Sequence, residues 1–237
     1  MRAGHDIAVI IPALNEERAI GRVLADIPSW VDRVIVADNG STDRTGEVAR
    51  AMGAIVVLEP RPGYGAACLK ALAEISTASI VVFVDGDYSD HPDEMATLVD
   101  PIISDAADMV IGSRVLGVRE AGALTPQQRF GNWLATVLIR RIWRVGFTDL
   151  GPFRAIRTVS LNRLAMSDLN YGWTVEMQIK AAIAGLRSIE VPVRYRRRIG
   201  VSKVSGTFKG TVLAGYTILS LIARFALSPP PGLTPNR

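Results

Sequence analysis

The stretch IVVFVDGDYSDHP, Ile80 to Pro92, decides the fold. Its first five residues, Ile80 to Val84, are apolar without alternation, so the strand they form is covered on both faces. Such a strand belongs to a parallel sheet sandwiched between helices. The run then breaks into Asp85-Gly86-Asp87. Two carboxylates delivered by a buried strand to a sheet edge suit a hard cation such as Mg²⁺ or Mn²⁺, which takes oxygen ligands and keeps positions open for phosphate or water. Gly86 between them lets the backbone come close to a ligand. Asp-x-Asp alone is a weak signal, because helix caps and acidic surfaces also produce it; behind a buried strand it is much stronger.

On either side of this stretch, short apolar runs at Ile7–Ile11, Arg33–Ala37, Ile55–Leu58 and Met109–Ile111 alternate with helix-like segments. That alternation predicts an α/β fold with a mostly parallel sheet flanked by helices. Open sheets of this kind bind ligands at the carboxyl ends of their strands. Polar chemistry gathers there: PALNE (Pro12–Glu16), DNGSTD (Asp38–Asp43) and GSR (Gly112–Arg114) each follow a strand. One such loop reads equally as a turn with a helix cap. Their recurrence along one sheet edge favours a site.

Composition narrows the classes. A chain of 237 residues, 49% hydrophobic and 21% charged, suits one globular domain with an appendage. Cys68 is the sole cysteine, so no intramolecular disulfide forms, and with only His5 and His91 beside it no zinc cluster is expected. Cys68 itself reads as a small packing residue. The apolar run Ile7–Ile11 is too short for a secretion signal and is stopped by Pro12, which points to a cytoplasmic enzyme. Residues 1–125 hold 10 Lys/Arg and 19 Asp/Glu, whereas residues 126–237 hold 17 and 4, so −9 sits beside +13. Clustered cations of this kind serve nucleic acid, an anionic membrane or a polyanionic substrate.

The second half predicts a helix over Pro126–Trp143, a strand near Phe153–Ile156, a helix over Trp173–Ala184 and a strand at Ser188–Val193. In the first helix Phe130, Trp133, Leu134, Val137, Leu138 and Ile142 form one apolar stripe, with Arg129, Asn132, Thr136, Arg140 and Arg144 opposite. The stripe is expected to pack on the core, although its aromatics beside arginines also suit a membrane interface. From Phe208 to Leu227 a further helix is expected, whose uncharged core Gly210–Ala223 is shorter than the roughly 20 residues that span a bilayer. Arg187 to Lys209 carries seven cations against one acid, Glu190. The helix reads either as an interfacial anchor or as one that docks or dimerises. The expected domains are a main unit over 1–206, in halves 1–115 and 116–206, the apolar helix 207–227 and a flexible tail 228–237.

Together with PGYGAA (Pro62–Ala67), DGDYSDHP (Asp85–Pro92), TDLGPFR (Thr148–Arg154), GWTVEM (Gly172–Met177) and RIGVSK (Arg198–Lys203), these motifs resemble the inverting family 2 glycosyltransferases of GT-A fold, in the branch of dolichol-phosphate mannose synthase. The resemblance covers roughly Ile7 to Lys203, and it implies a nucleotide-binding sheet in a catalytic domain over 1–206, with 1–115 the nucleotide-sugar-binding half and 116–206 the acceptor half. It implies a nucleotide site at Pro12, Ala13, Asn15, Glu16, Asp38, Gly65, Asp85 and Gly86, and a Mg²⁺ or Mn²⁺ ion on Asp85 and Asp87. It further implies catalytic roles for Asp87, Arg114 and Asp149, and acceptor or phosphate contacts at Arg129, Arg154, Arg197 and Lys203. Two departures stand out. Tyr88-Ser89-Asp90 makes the metal loop one residue longer than usual, leaving Ser89 or Asp90 for a third metal contact. Asn39 replaces an acid in the second loop, where it can still cap. His91, beside Pro92, is expected to cap the helix that follows.

The implied reaction moves a hexose from a UDP-glucose or GDP-mannose type donor, with metal and cations neutralising the leaving diphosphate. A hydroxyl acceptor needs a base, for which Asp149, Asp90 and Glu176 are the available carboxylates. A lipid phosphate is already ionised and needs none. The basic stretch Arg194–Lys203 beside an apolar helix favours a polyprenyl phosphate over a soluble or glycan hydroxyl, with the enzyme peripheral on the cytoplasmic face of a membrane, no nucleic-acid partner, and a homo-oligomer left open. A haloacid-dehalogenase-type phosphatase fits poorly, because Val-Asp-Gly-Asp lies far from the chain start and no second acidic pair follows. Gly63-Tyr-Gly65 lacks the third glycine of a dinucleotide fingerprint. A non-catalytic binding module would tolerate loss of Asp87.

Overall fold

The computed structural model describes residues 1–75, 77–200, 208–228, 230 and 233, and of 208–212 the backbone. Seven strands, β1 (Ile7–Ala13), β2 (Arg33–Asp38), β3 (Ile55–Leu58), β4 (Ile80–Phe83), β5 (Met109–Ser113), β6 (Arg154–Arg157) and β7 (Ser188–Pro192), form one sheet. Their order is β3-β2-β1-β4-β6-β5-β7. The first four run parallel, with Ile7–Ile10 beside Ile80–Phe83. Strand β6 is antiparallel to β4 and β5 between which it lies, and β7 returns parallel to β5. The expected mostly parallel sheet is therefore present, and it runs through both halves of the chain.

Helices α1 (Ile20–Ala25), α2 (Thr45–Ala51), α3 (Tyr64–Leu72), α4 (Met95–Ile103), α5 (Pro126–Trp143), α6 (Thr158–Leu164), α7 (Trp173–Ile183) and α8 (Phe208–Leu227) cover the sheet. Two apolar layers result. Val81 and Phe83 of β4 enter one with Trp173 of α7, while Ile80, Val82 and Val84 enter the other with Leu98 and Ile102 of α4. This double burial is why Ile80–Val84 shows no polar alternation. Cys68 lies within the first layer as a packing residue.

Helix α5 reverses the expected orientation. It opens on a capping box, Thr125 with Gln128, and has Pro126 in its first turn. Its buried side chains are Ala135, Thr136 and Ile139, whereas Phe130 and Trp133 are 61% and 57% exposed and Ile142 is also exposed. The reason is local. Asn132 donates to the Thr148 carbonyl (2.9 Å) and accepts from the Leu150 amide (2.8 Å), which pins this part of the helix inward. Small Ala135 and Thr136 then allow close approach to the domain. Helix α8 packs against α5 and α7, burying Ile222 and Phe225 and leaving Leu213, Tyr216 and Leu219 exposed. The docked arrangement is thus present, with an apolar face left over. Leu233, in the tail expected to be unpacked, is buried against the core because its apolar side chain finds cover there.

The charge asymmetry is largely answered within the fold. Arg187 pairs with Asp105 and Asp108, Arg194 with Asp93 and Glu94, Arg196 with Asp26, and Arg198 with Asp87. The orientation of α5 has a direct consequence for stability. Ile139→Ala is expected to destabilise by about 2–4 kcal/mol and Trp133→Ser by no more than about 0.5 kcal/mol, measured by urea unfolding; the reverse ranking would place the aromatic stripe in the core.

Candidate active site

Strands β1 and β4 end side by side, and this brings PALNE against Asp85-Gly86-Asp87. A Cβ on Gly86 would stand 3.3 Å from both the Pro12 carbonyl and the Ala13 Cβ. Gly86 therefore lets the two strand ends touch. A groove of about 1010 Å³ opens there, lined by Pro12, Ala13, Leu14, Glu16 and Asn39 on one side and Asp85, Gly86 and Asp87 on the other.

The two carboxylates are held from behind. Tyr64 donates its hydroxyl to Asp85 Oδ1 (3.0 Å), and the Asp85 amide donates to Asp90 Oδ2 (3.3 Å). Ser89 donates both its amide and its hydroxyl to Asp87 Oδ1. Burial, then the neighbouring Asp87 charge, push the Asp85 carboxyl up to about 6. The same causes, burial first and then Asp85 and Asp87, push buried Asp90 well above the usual carboxylate range. Among the described residues no three His, Cys, Asp or Glu side chains form a metal-binding group. Of the two residues expected to supply a third contact, Ser89 is engaged by Asp87, whereas Asp90 gives Oδ2 to the Asp85 amide and keeps a buried Oδ1 without a hydrogen-bond partner. Two carboxylates on an open groove, with the remaining positions left to phosphate and water, fit the usual demand of Mg²⁺ or Mn²⁺.

The extra residue of this loop has its own account. Tyr88 adopts a left-handed backbone (φ 65°), and the Arg196 guanidinium stacks over its ring at 3.3 Å while bonding the Tyr88 and Asp90 carbonyls. The segment after β7 is zipped onto the loop, Arg196 N to the Ser89 carbonyl and Ile199 N to the Asp87 carbonyl. Side chains alternate along such an extended segment. Arg198 consequently reaches Asp87 (Nη2 to Oδ2, 2.6 Å) and lines the groove, whereas Arg197 points away to the Ala121 carbonyl. Arg198, and not the expected Arg197, is therefore the arginine of this pair that lines the groove, and the period of two was the signal that could have found it. Lys203 lies outside the described residues.

Arg114 lines the groove in a fork with Asp149 (Nε to Oδ2 2.8 Å, Nη2 to Oδ1 2.7 Å). Asp149 is fully buried, and although burial raises its carboxyl, the Arg114 charge and hydrogen bonds outweigh this and hold it below its ordinary value. Glu190 accepts from the Thr148 and Asp149 amides and fixes the loop. Both Asp149 oxygens are thus committed to Arg114, so it positions the arginine instead of facing a substrate. Glu176 is buried against Lys180 (2.7 Å) and caps the Ser167 and Asp168 amides. Arg154 does not reach the groove: it is buried among the Leu150, Gly151 and Thr174 carbonyls, and burial lowers it to about 10. Arg129 stands exposed on α5, outside the groove lining.

The remaining expected residues build the loops. Asn15, left-handed at φ 53°, accepts from the Thr42 amide (2.8 Å) and ties the loop after β1 to the loop after β2, while Asp38 accepts from the Ser41 amide (2.8 Å) and holds the turn of the second loop. Asn39 does not cap a helix; it bridges the Glu59 and Arg61 carbonyls and the Gly63 amide. Gly65 is required by packing, since a Cβ there would meet the Asp168 carbonyl at 2.0 Å. His91 makes no side-chain cap and stands 3.5 Å from Asp93. Beyond Arg114 the groove continues as an apolar arm between α5 and α8, past Phe130, Leu134, Ala214, Gly215, Ile218 and Leu219. Tyr64, Arg198 and this arm were not anticipated; the arm depends on the packing of two helices distant in sequence.

Comparison with known proteins agrees with this geometry. The profile of the family described as Glycosyl transferase family 2 matches residues 8–164. An uncharacterized glycosyltransferase of Mycobacterium tuberculosis is 38% identical over 90% of this chain and 95% of its own. A dolichyl-phosphate hexose transferase of Haloferax volcanii is 35% identical over 91% of this chain and 93% of its own. Among solved structures, glucosyl-3-phosphoglycerate synthase from M. tuberculosis, in complex with Mn²⁺, uridine diphosphate and glucosyl-3-phosphoglycerate, superposes with TM-score 0.76 at 26% identity, covering 98% of this chain and 83% of that one.

The fork around Arg114 predicts a clear effect. Asp149→Asn strips a buried guanidinium of its counter-charge, and breaking such a pair costs about 3–5 kcal/mol; chemical denaturation of the variant reads this directly, and wild-type stability would show that the pair carries no weight.

Proposed function

The chain belongs to glycosyl transferase family 2, and on that premise we propose that it transfers a hexose from a nucleotide sugar to a polyprenyl phosphate with Mg²⁺ or Mn²⁺ at Asp85 and Asp87. The observation that carries this reading is the continuity of the groove, which leads from the two carboxylates past Arg114 into an apolar arm. A nucleoside enters between the Pro12–Leu14 backbone and Asn39, its diphosphate directed at Asp85 and Asp87. The metal, when bound, neutralises the diphosphate as a Lewis acid. Arg114, aimed by Asp149, adds a fixed cation facing the charge that develops on departure. The M. tuberculosis synthase was crystallised with Mn²⁺ and uridine diphosphate, which supports this donor chemistry.

The acceptor follows from what the carboxylates are doing. Asp149 is held by Arg114, Glu176 by Lys180 and backbone amides, and Asp90 is buried outside the groove lining. None of the three is set to take a proton from a hydroxyl. A phosphate brings its own negative oxygen, and the prenyl chain suits the apolar arm. The name of the H. volcanii relative supports the same class of acceptor.

Such an acceptor lives in a bilayer, and no helix among the described residues is long and apolar enough to cross one. The enzyme works instead from the membrane surface, with Phe130, Trp133, Leu213, Tyr216 and Leu219 exposed on α5 and α8. Neither helix contains an acid, and Arg140, Arg141 and Arg144 are exposed at the carboxyl end of α5. Aromatic and aliphatic side chains beside unopposed cations match an anionic lipid interface.

Enzyme incubated with labelled UDP-glucose or GDP-mannose, Mn²⁺ and polyprenyl phosphate is expected to give organic-extractable label, lost in Asp87→Asn; label confined to a water-soluble glycan would overturn the acceptor. Because Asp85 must be ionised to hold a cation and its carboxyl sits at about 6, Mn²⁺ affinity is expected to weaken as pH falls through that value, read by titration calorimetry.

A further inference from the structure

Arg198 occupies the place where the negative charge of the site converges. Its guanidinium lies 2.6 Å from Asp87 Oδ2. Asp87 lies against it, and Asp85 and Glu16 line the same groove. Two of these groups are the carboxylates assigned to the metal. The arginine is only 28% exposed, and the pairing of Ile199 N with the Asp87 carbonyl keeps it beside Asp87. A divalent cation on the same oxygens would stand against a fixed positive charge, which it must push aside.

We infer that Arg198 is the resident counter-cation of the Asp85–Asp87 pair: it competes with the metal for Asp87, and once displaced it becomes a donor to the diphosphate that arrives with the metal. The inference rests on the metal site proposed above. The exchange is economical in geometry, because Arg198 already lines the groove beside both carboxylates and needs only a change of rotamer to face a phosphate oxygen. Its planar fork suits phosphate as well as carboxylate. Metal and nucleotide then bind with mutual support: metal frees the arginine, and phosphate gives it a new partner.

The signature is a reversal of sign between two binding measurements. Arg198→Gln is expected to bind Mn²⁺ alone roughly three- to tenfold more tightly than wild type, followed by the loss of the free-ion electron paramagnetic resonance signal, the scale of a partly buried ion pair. With Mn²⁺ saturating, the same variant is expected to bind UDP or GDP, whichever wild type binds, about tenfold more weakly. Arg198→Lys, which keeps the charge but loses the fork, falls near wild type for Mn²⁺ and near the glutamine variant for nucleotide. A merely structural arginine would weaken both. Equal or weaker Mn²⁺ binding by a folded Arg198→Gln overturns the competition. Failure of wild type to bind Mn²⁺ at all, or undiminished binding by Asp87→Asn, instead sinks the metal site on which it rests.

Discussion

The pairing of β1 with β4 is the constraint on which the rest depends. Both strands are buried along their whole length, and Ile7–Ile10 run in parallel register with Ile80–Phe83. No polar side chain fits until the strands end, and because they are parallel they end together. The first polar groups of each, Asn15 and Glu16 from one and Asp85 and Asp87 from the other, are thereby forced to one edge. Gly86 completes the junction, since any side chain there would press on Pro12 and Ala13. The position of the chemistry is a by-product of core packing, as in open α/β sheets generally.

Charge follows the same logic. The acidic first half and the basic second half meet where the segment after β7 lies across the metal loop, and Arg194, Arg196 and Arg198 each find an acid of the first half. What reads in sequence as a basic surface for a polyanion is spent in large part on folding. Among the described residues, exposed cations include Arg129, Arg140 and Arg141 of α5 and Arg224 of α8, the two helices that also expose Phe130, Trp133, Leu213 and Tyr216. Buried Asp149 illustrates the local version: its carboxylate is stabilised by Arg114 and in return fixes that guanidinium toward the groove.

Much of this was legible in the residues themselves. The unbroken run Ile80–Val84 announced a strand covered on both faces, and the polar loops behind successive strands announced the edge that carries the site. What escaped reading depended on three-dimensional register. Arg197 and Arg198 are chemically identical, and only the alternation of an extended segment, anchored through Ile199 to Asp87, decides which one enters the groove. For α5 the apolar stripe was visible but its destination was not, because Asn132 finds buried partners in the Thr148–Leu150 loop and turns the aromatics outward. Asp149, Glu176 and Arg154 read as chemical groups because sequence reports a carboxylate or guanidinium without its partner.

The account stands or falls on the cation site at the end of β4. Anomalous diffraction at the manganese edge, from crystals grown with Mn²⁺ and UDP or GDP, locates the ion directly. A single strong peak bridging Asp85, Asp87 and the diphosphate, with Arg198 turned from Asp87 toward a phosphate oxygen, is the predicted result. A nucleotide bound in the groove with manganese elsewhere, or with Arg198 still paired to Asp87, would contradict it.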